Sequence, residues 1–420
     1  MSAFYDLASL VVVPSGYKSG KVYAQKPLTT DGQLAFTRAS TATRVNASGL
    51  VETVASGVPR LDYLNSTCPK LLLEPQRTNY ARTNTTLGSW AVTNPGDTTP
   101  TAAGISPDGT NNAIKLLPDS TLTGHLFYDN TTSQATGGNF VMSCYAKAAG
   151  LTKFGLRESQ TIGYYAAFDL STGAVIEAGA SVTASIQNMG NGWYRCTAVV
   201  SASINACIGL VPLPAAYTTG NPLGYAYAGN GTDGVLVYQP QLEVSATYVT
   251  SPISTAGVAS ATRVADECSK TGISSLIGQT EGTIYWEGSG NATVGGADLW
   301  MAAISVDDTN VAVLVYYVAA SGTLNAFINN GTTSVILDAP MNLTQNNKVA
   351  LAYKNASFAL YLNGALVDSS SSAIAPPTAM NQFAFVKWQG GANQDRALVN
   401  QALLFKTRLT NAQLAELTAL

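Results

Sequence analysis

Charge is scarce in this 420-residue chain: Asp, Glu, Lys and Arg make up 11% of it, and the formal net charge is −3. So thin a charge has no basic stripe for gripping phosphates, and nucleic acid is excluded as an expected partner. Histidine is scarcer still, with His125 standing alone. A Ser-His-Asp triad needs a base that titrates near neutrality, and His125 lies in Thr123-Gly124-His125-Leu126-Phe127 with no nucleophile-elbow sequence beside it. It reads as a structural, hydrogen-bonded histidine. Clustered His and Cys at zinc spacing are lacking as well. No apolar run approaches the roughly 18 residues of a membrane-spanning helix, the best being Val311 to Ala320, and no membrane insertion is expected. Met1-Ser2-Ala3-Phe4-Tyr5-Asp6 has neither the basic start nor the apolar stretch of a signal peptide, so the expectation is synthesis in a cytoplasm. The five cysteines (Cys68, Cys144, Cys196, Cys207, Cys268) are odd in number and form no CxxC, which reads as free, mostly buried thiols.

What the chain has in abundance is turn chemistry. Its 38 Gly and 17 Pro interrupt short apolar stretches every few residues, as an all-β protein with many strands requires. Leu360-Tyr361-Leu362-Asn363-Gly364-Ala365-Leu366-Val367 is the sharpest case, because Asn-Gly tolerates the two positive φ angles of a type I′ hairpin turn. Period-two patterns predict strands at Phe140 to Ala146, Tyr164 to Asp169, Ala180 to Gln187, Trp193 to Val200, Ala206 to Leu213 and Val235 to Leu242. A second series runs over Thr283 to Glu287, Trp300 to Val306, Val311 to Val318, Leu324 to Asn329, Lys348 to Tyr353, Ser357 to Leu362 and Phe383 to Trp388. A strand at Asp395 to Phe405 and a short helix over Leu409 to Leu417, capped by Thr410 or Asn411, close the chain.

The expected fold is all-β, with two β-sandwich (jelly-roll) domains preceded by an extended N-terminal strap region. The expected boundaries are 1–80 for the strap, 81–250 for the first sandwich, 251–274 for a linker and 275–420 for the second sandwich. Arginines in the strap would be satisfied by carboxylates such as Asp62 and Glu74 or by backbone carbonyls. Ala42-Thr43-Arg44-Val45 is echoed by Ala261-Thr262-Arg263-Val264, which suggests two equivalent segments flanking the first sandwich.

Three resemblances extend this reading. Residues 275–420, with the LYxNG hairpin followed by a strand and the Leu409 to Leu417 phrase, resemble concanavalin/laminin-G-like domains. Phe140 to Lys147, Gly192-Trp193-Tyr194-Arg195 and Val237 to Glu243 resemble strands of carbohydrate-binding-module-like jelly rolls. Val11 to Tyr23, Phe36 to Val45, Val58 to Tyr63 and Leu71 to Asn79, taken in order, resemble a module of tailed-bacteriophage structural proteins. They imply a non-enzymatic virion component, a fibre or surface decoration, displaying lectin-like domains to host or environmental glycans. Its implied partners are other virion proteins and host-surface glycans, with a homo-oligomer, such as a trimer, as the usual state of fibres. A purely structural assembly subunit and a polysaccharide depolymerase are the alternatives.

Sugar recognition needs exposed aromatic faces, and Tyr316, Tyr317 and Trp388 are the glycan-binding candidates. Adjacent tyrosines in a strand point to opposite faces, so one ring of the pair belongs to the core. No catalytic residue is assigned. Adjacent Asp307 and Asp308 read as a turn rather than a carboxylate pair, Glu281 and Glu287 are too far apart in sequence to judge, and the resemblance to jelly-roll strands implies a structural role for Glu243. No cofactor is called for. A structural calcium ion stays open, with Asp307-Asp308-Thr309-Asn310 or Asn393-Gln394-Asp395 as loops that could take it.

Overall fold

The computed structural model describes residues 2–129, 138–161, 163–291, 298–385 and 395–420. The chain is all-β and divides into two compact units, one of residues 1–47, 54–76 and 264–420, the other of 48–53 and 77–263.

The second of these units is a sandwich of two antiparallel sheets. Six strands run in the order Ala91–Val92, Phe127–Tyr128, Ile208–Leu213, Lys153–Glu158, Tyr165–Asp169 and Ala174–Ala178. Five more run Ile114–Leu116, Gly234–Val244, Phe140–Ala149, Trp193–Val200 and Val182–Gly190. Residues that alternate inward, such as Phe140, Met142, Cys144, Phe154, Leu156, Cys196, Ala198, Leu210 and Val237, fill the space between the sheets. Cys144 and Cys196 face each other across paired strands as free thiols, and burial pushes both thiols up from their ordinary pKa.

In the other unit the eight-stranded sheet has the order Ala365–Ser370, Phe358–Leu362, Asn347–Lys354, Glu281–Gly290, Ala397–Phe405, Lys70–Leu73 and Arg60–Asp62, with Leu10–Val12 also pairing on Ala397–Phe405. The nine-stranded sheet begins with Tyr17–Lys18, Lys21–Tyr23 and Gln33–Thr37, continues through Glu267–Thr271 and Gln382–Phe385, and ends with Leu299–Ser305, Val311–Val318, Thr323–Asn329 and Ser334–Pro340. Trp286, Ile284 and Leu404 from one sheet meet Phe36, Val313, Tyr317 and Phe383 from the other in one core. The helices Ser2–Leu7 and Asn411–Thr418 place Phe4, Leu414 and Leu417 over Tyr285, Ala350, Tyr361 and Phe405 on the outer side of the eight-stranded sheet.

Residues 1–47 and 54–76, read from sequence as a strap, are thus strands of the C-terminal sandwich. Gln33–Thr37 pairs with Glu267–Thr271, and Lys70–Leu73 pairs with Ala397–Phe405. Two arginines of this stretch, Arg38 and Arg60, are buried at the join. Arg60 bonds Glu74 at 2.6 Å and also Asp266, Arg38 bonds Asp266 at 3.0 Å, and all four side chains are fully buried. Asp62, the other expected carboxylate, accepts instead from the backbone N–H groups of Val45 and Leu64. The echo Ala-Thr-Arg-Val is a short strand at each site, Ala42–Val45 and Ala261–Arg263. Its arginines differ in role: Arg44 lies over the Tyr17 ring, whereas Arg263 is buried and donates to the Thr250 and Ser251 hydroxyls.

The Asn363-Gly364 turn has φ of 51° and 89°, both positive as type I′ demands. It joins Phe358–Leu362 to Ala365–Ser370. The Asn363 side chain accepts from the Lys348 N–H, and the Gly364 N–H donates to the Thr418 hydroxyl, so the hairpin is tied to the C-terminal helix. Thr410 caps that helix in a full capping box with Gln413.

Candidate functional site

The outer face of the nine-stranded sheet carries the aromatic residues best placed for a ligand. Thr323–Asn329 alternates half-buried and buried residues, and Ser334–Pro340 alternates exposed and buried ones, so each has one face in the core and one toward solvent. Register then sets the surface. Trp300 pairs with Tyr316, Tyr316 with Asn325, and Asn325 with Asp338, which puts these four side chains in one row across four strands.

The Trp300 and Tyr316 ring centroids are 6.2 Å apart with planes inclined at 39°. Both rings are half-buried. Burial raises the Tyr316 phenol pKa, a hydrogen bond from the Asn325 side chain opposes that, and the Asp298 charge adds to it. The phenol therefore stays protonated and keeps its O–H as a donor at neutral pH. Two residues along Val311–Val318, Thr323–Asn329 and Ser334–Pro340, about 6.6 Å away, and three along the bulged Leu299–Ser305, lies a parallel row of Ala303, Leu314, Phe327 and Ile336, of which Ala303 and Leu314 are buried. Ile336 is 54% exposed. The face thus offers two aromatic rings, apolar surface from Phe327 and Ile336, and amide, hydroxyl and carboxylate groups from Asn325, Thr323 and Asp338. Such a surface stacks on the C–H face of a sugar ring while bonding its hydroxyls, and it equally suits an apolar protein surface.

Of the three aromatics singled out from sequence, Tyr316 belongs to this face. Tyr317 points the other way, is 4% exposed, and belongs to the core. Trp388 lies outside the described residues, as do Asn393 and Gln394 of one candidate calcium loop. Trp300 was missed because its position beside Tyr316 is a property of two paired strands, and periodicity within either strand does not record it.

The carboxylates considered for chemistry are committed elsewhere. Asp307 accepts from the backbone and side chains of Thr309 and Asn310, which hold its pKa down at about 2 in an exposed turn. Glu243 is buried and accepts from Gln241 and from the Thr250 N–H and hydroxyl. Glu281 pairs with Lys354 at 3.2 Å. Glu287 accepts from Asn346, Asn400, Tyr285 and Gln401, and those bonds outweigh burial to hold its pKa below the ordinary value. Glu281 and Glu287 stand six residues apart on one strand, about 20 Å, too far for a glycosidase pair.

A different cluster forms in the other unit, where Asp97, Asp119 and His125 bring their ligating atoms within 4.8 Å of one another. Spacings of 22 and 6 residues in irregular chain gave no metal motif in the sequence.

No protein-family model and no curated protein sequence matches the chain. Among solved structures it is similar to the carbohydrate-binding module of the Ruminococcus gnavus intramolecular trans-sialidase (IT-sialidase CBM40) bound to α2,3-sialyllactose, at 16% identity over 34% of this chain and 84% of that one, with a TM-score of 0.30. It is also similar to domain 4 of the Geobacillus stearothermophilus arabinanase AbnA in complex with arabinotriose, at 14% identity over 37% and 73% of the two chains, TM-score 0.30. A third likeness is to the binding domain of botulinum neurotoxin DC in complex with rat synaptotagmin II, at 10% identity over 36% and 39%, TM-score 0.31. These neighbours are carbohydrate-binding and receptor-binding domains, and likenesses so partial carry no ligand or activity across to this chain.

Proposed function

We propose that this chain is a non-enzymatic glycan-binding protein whose sugar platform is the Trp300, Tyr316 and Asn325 row on the outer face of the nine-stranded sheet. The paired rings at 6.2 Å carry the reading, because they leave an aromatic surface of about sugar-ring size beside hydrogen-bonding groups. The N-terminal phrases further place the protein, in this proposal, on the particle of a tailed phage, as a fibre or decoration subunit that adheres to host or environmental glycans. An antibody to the chain should then label intact particles.

A glycan array with the full chain tests the platform. Retention of at least one glycan is expected, with Trp300→Ala and Tyr316→Ala each weakening it by tenfold or more, equivalent to about 1.4 kcal/mol. Unchanged retention in both variants would remove this face from the reading. Failure to retain any glycan would favour the second reading, an assembly subunit, which rests on the exposed Ile336 beside the half-buried Phe327 as a surface for another protein.

A further inference from the structure

The only histidine of the chain is fully buried in the unit formed by residues 48–53 and 77–263. Its Nε2 lies 3.0 Å from the Tyr227 carbonyl oxygen, which can only accept, so Nε2 carries a hydrogen. In the neutral ring this leaves a lone pair on Nδ1. That nitrogen faces the Asp97 Oδ1 at 2.8 Å and the Asn94 amide nitrogen at 3.1 Å. The amide has hydrogens to give, but the carboxylate oxygen has none, and two lone pairs at 2.8 Å need a positive centre between them.

Charge balance bears on what that centre is. Asp97 is 5% exposed and Asp119, half-buried, completes the trio. A proton on Nδ1 supplies one positive charge against two carboxylates, whereas a divalent ion supplies two. Backbone packing favours the close approach: a Cβ on Gly96 would lie 2.3 Å from the Asp119 Oδ2, so only glycine lets this carboxylate sit beside the residue preceding Asp97. The Asp119 oxygens accept from the Thr121 N–H and hydroxyl, which orients the group, and the Asp97 Oδ1 accepts from the Asp119 N–H. On its open side Asp119, alone of the trio, lines a surface pocket of about 410 Å³ with Gly96, Thr98, Ser120 and Asn230, so an ion and its water would approach from the Asp119 side.

We propose that Asp97, Asp119 and His125 form a binding site for a divalent transition-metal ion of the zinc class. An imidazole nitrogen with two carboxylates suits zinc, cobalt or manganese and disfavours calcium and magnesium, which prefer oxygen alone. With zinc–ligand lengths of about 2.0–2.2 Å, tetrahedral ligand atoms lie about 3.3 Å apart, between the 2.8 Å contact and the 4.8 Å span observed. The Tyr227 carbonyl is the outer partner that metal-bound histidines commonly have, fixing the tautomer that leaves Nδ1 free to bind. The ion would add a staple to residues 94–97, 119–125 and 227, which are also joined by these hydrogen bonds and by isolated bridges such as Thr98 to Leu117 and Thr123 to Tyr227. This site is independent of the sugar platform.

The full chain, dialysed against chelator, is titrated with Zn²⁺ by calorimetry and with Co²⁺ by visible absorption. One ion per chain is expected, with the intense visible bands of low-symmetry four-coordinate cobalt. Because the chain has a single histidine, its ring resonances need no assignment, and Zn²⁺ should shift Nδ1 while Nε2 keeps its proton. Asp119→Asn leaves the Asp97 to His125 contact in place and should weaken Zn²⁺ at least tenfold. A cobalt spectrum equal to that of the free ion, with a ring protonated on both nitrogens whether or not Zn²⁺ is added, would overturn the site and make the trio an imidazolium–carboxylate pair. Equal Zn²⁺ affinity in Asp119→Asn and the parent would overturn the three-ligand assignment.

Discussion

Two clusters, one in each unit, hold irregular chain in place with opposite chemistry. In the unit that contains the C-terminus, Arg38, Arg60, Glu74 and Asp266 form a cluster of buried ions, with Arg60 also donating to the Thr43 carbonyl and the Glu74 N–H to Asp266. In the other unit a pair of neutral amides ties one such join. Asn84 donates to the Pro240 and Ile253 carbonyls and accepts from the Thr255 N–H and hydroxyl, while Asn79 bonds the same two carbonyls and the N–H groups of Ala81 and Leu242. Both asparagines are fully buried and all their hydrogen-bonding capacity is used. Ions withdrawn from water tolerate only partners that return the lost solvation, so the charged cluster specifies which segments may meet more stringently than the amides do. The opposing causes at Arg60 show this: burial lowers its pKa, and Asp266 and Glu74 more than reverse it.

Breaking each cluster measures that difference. Arg60→Ala leaves Glu74 and Asp266 buried without their main counterion and should cost about 3–5 kcal/mol. Hydrogen exchange on the full chain should show lost protection in Lys70–Leu73 and Glu267–Thr271 with Phe140–Ala149 unchanged. Asn84→Ala strands the Thr255 N–H and takes one of two donors from each of the Pro240 and Ile253 carbonyls, which keep Asn79, at about 1–3 kcal/mol. Protection should then fall near residues 240–255 and in Gly234–Val244. Equal losses from the two variants would mean that the charge of the first cluster adds no stringency.

Much of this was legible in the sequence, and what was not has a common cause. Val311–Val318 and Trp193–Val200 begin and end at the residues expected from the sequence, the Asn363-Gly364 turn has the dihedrals its residues favour, and Thr410 caps the last helix. These features are local. The membership of residues 1–47 and 54–76 in the C-terminal sandwich depends on pairings such as Phe36 with Cys268 and Leu72 with Leu398, and on an Arg60 to Asp266 contact across 206 residues. Periodicity carries no address for a partner that distant. The same limit hid Trp300 from Tyr316, and Asp97 from Asp119 and His125. An Arg-rich stretch low in helix signals was the visible trace, since buried guanidinium groups require carboxylates from somewhere in the chain.

The smallest effect sharpens the comparison by titrating one ion of the unit that holds the charged cluster. Glu287 has a depressed pKa because four side chains donate to it, so its contribution to stability is fully present above its unfolded pKa of about 4.3 and is lost as pH falls through the lower folded value. Glu287→Gln removes that ion while keeping the shape and one acceptor oxygen. Urea midpoints of parent and variant should therefore differ by a constant amount from pH 7 to pH 5 and converge at still lower pH. Because the parent-minus-variant difference cancels every other carboxylate, including Asp108 and Asp169 of the other unit, which are also depressed, the convergence reports Glu287 alone. A difference that stayed constant down to pH 3 would mean that the donors hold the side chain by geometry rather than by its charge.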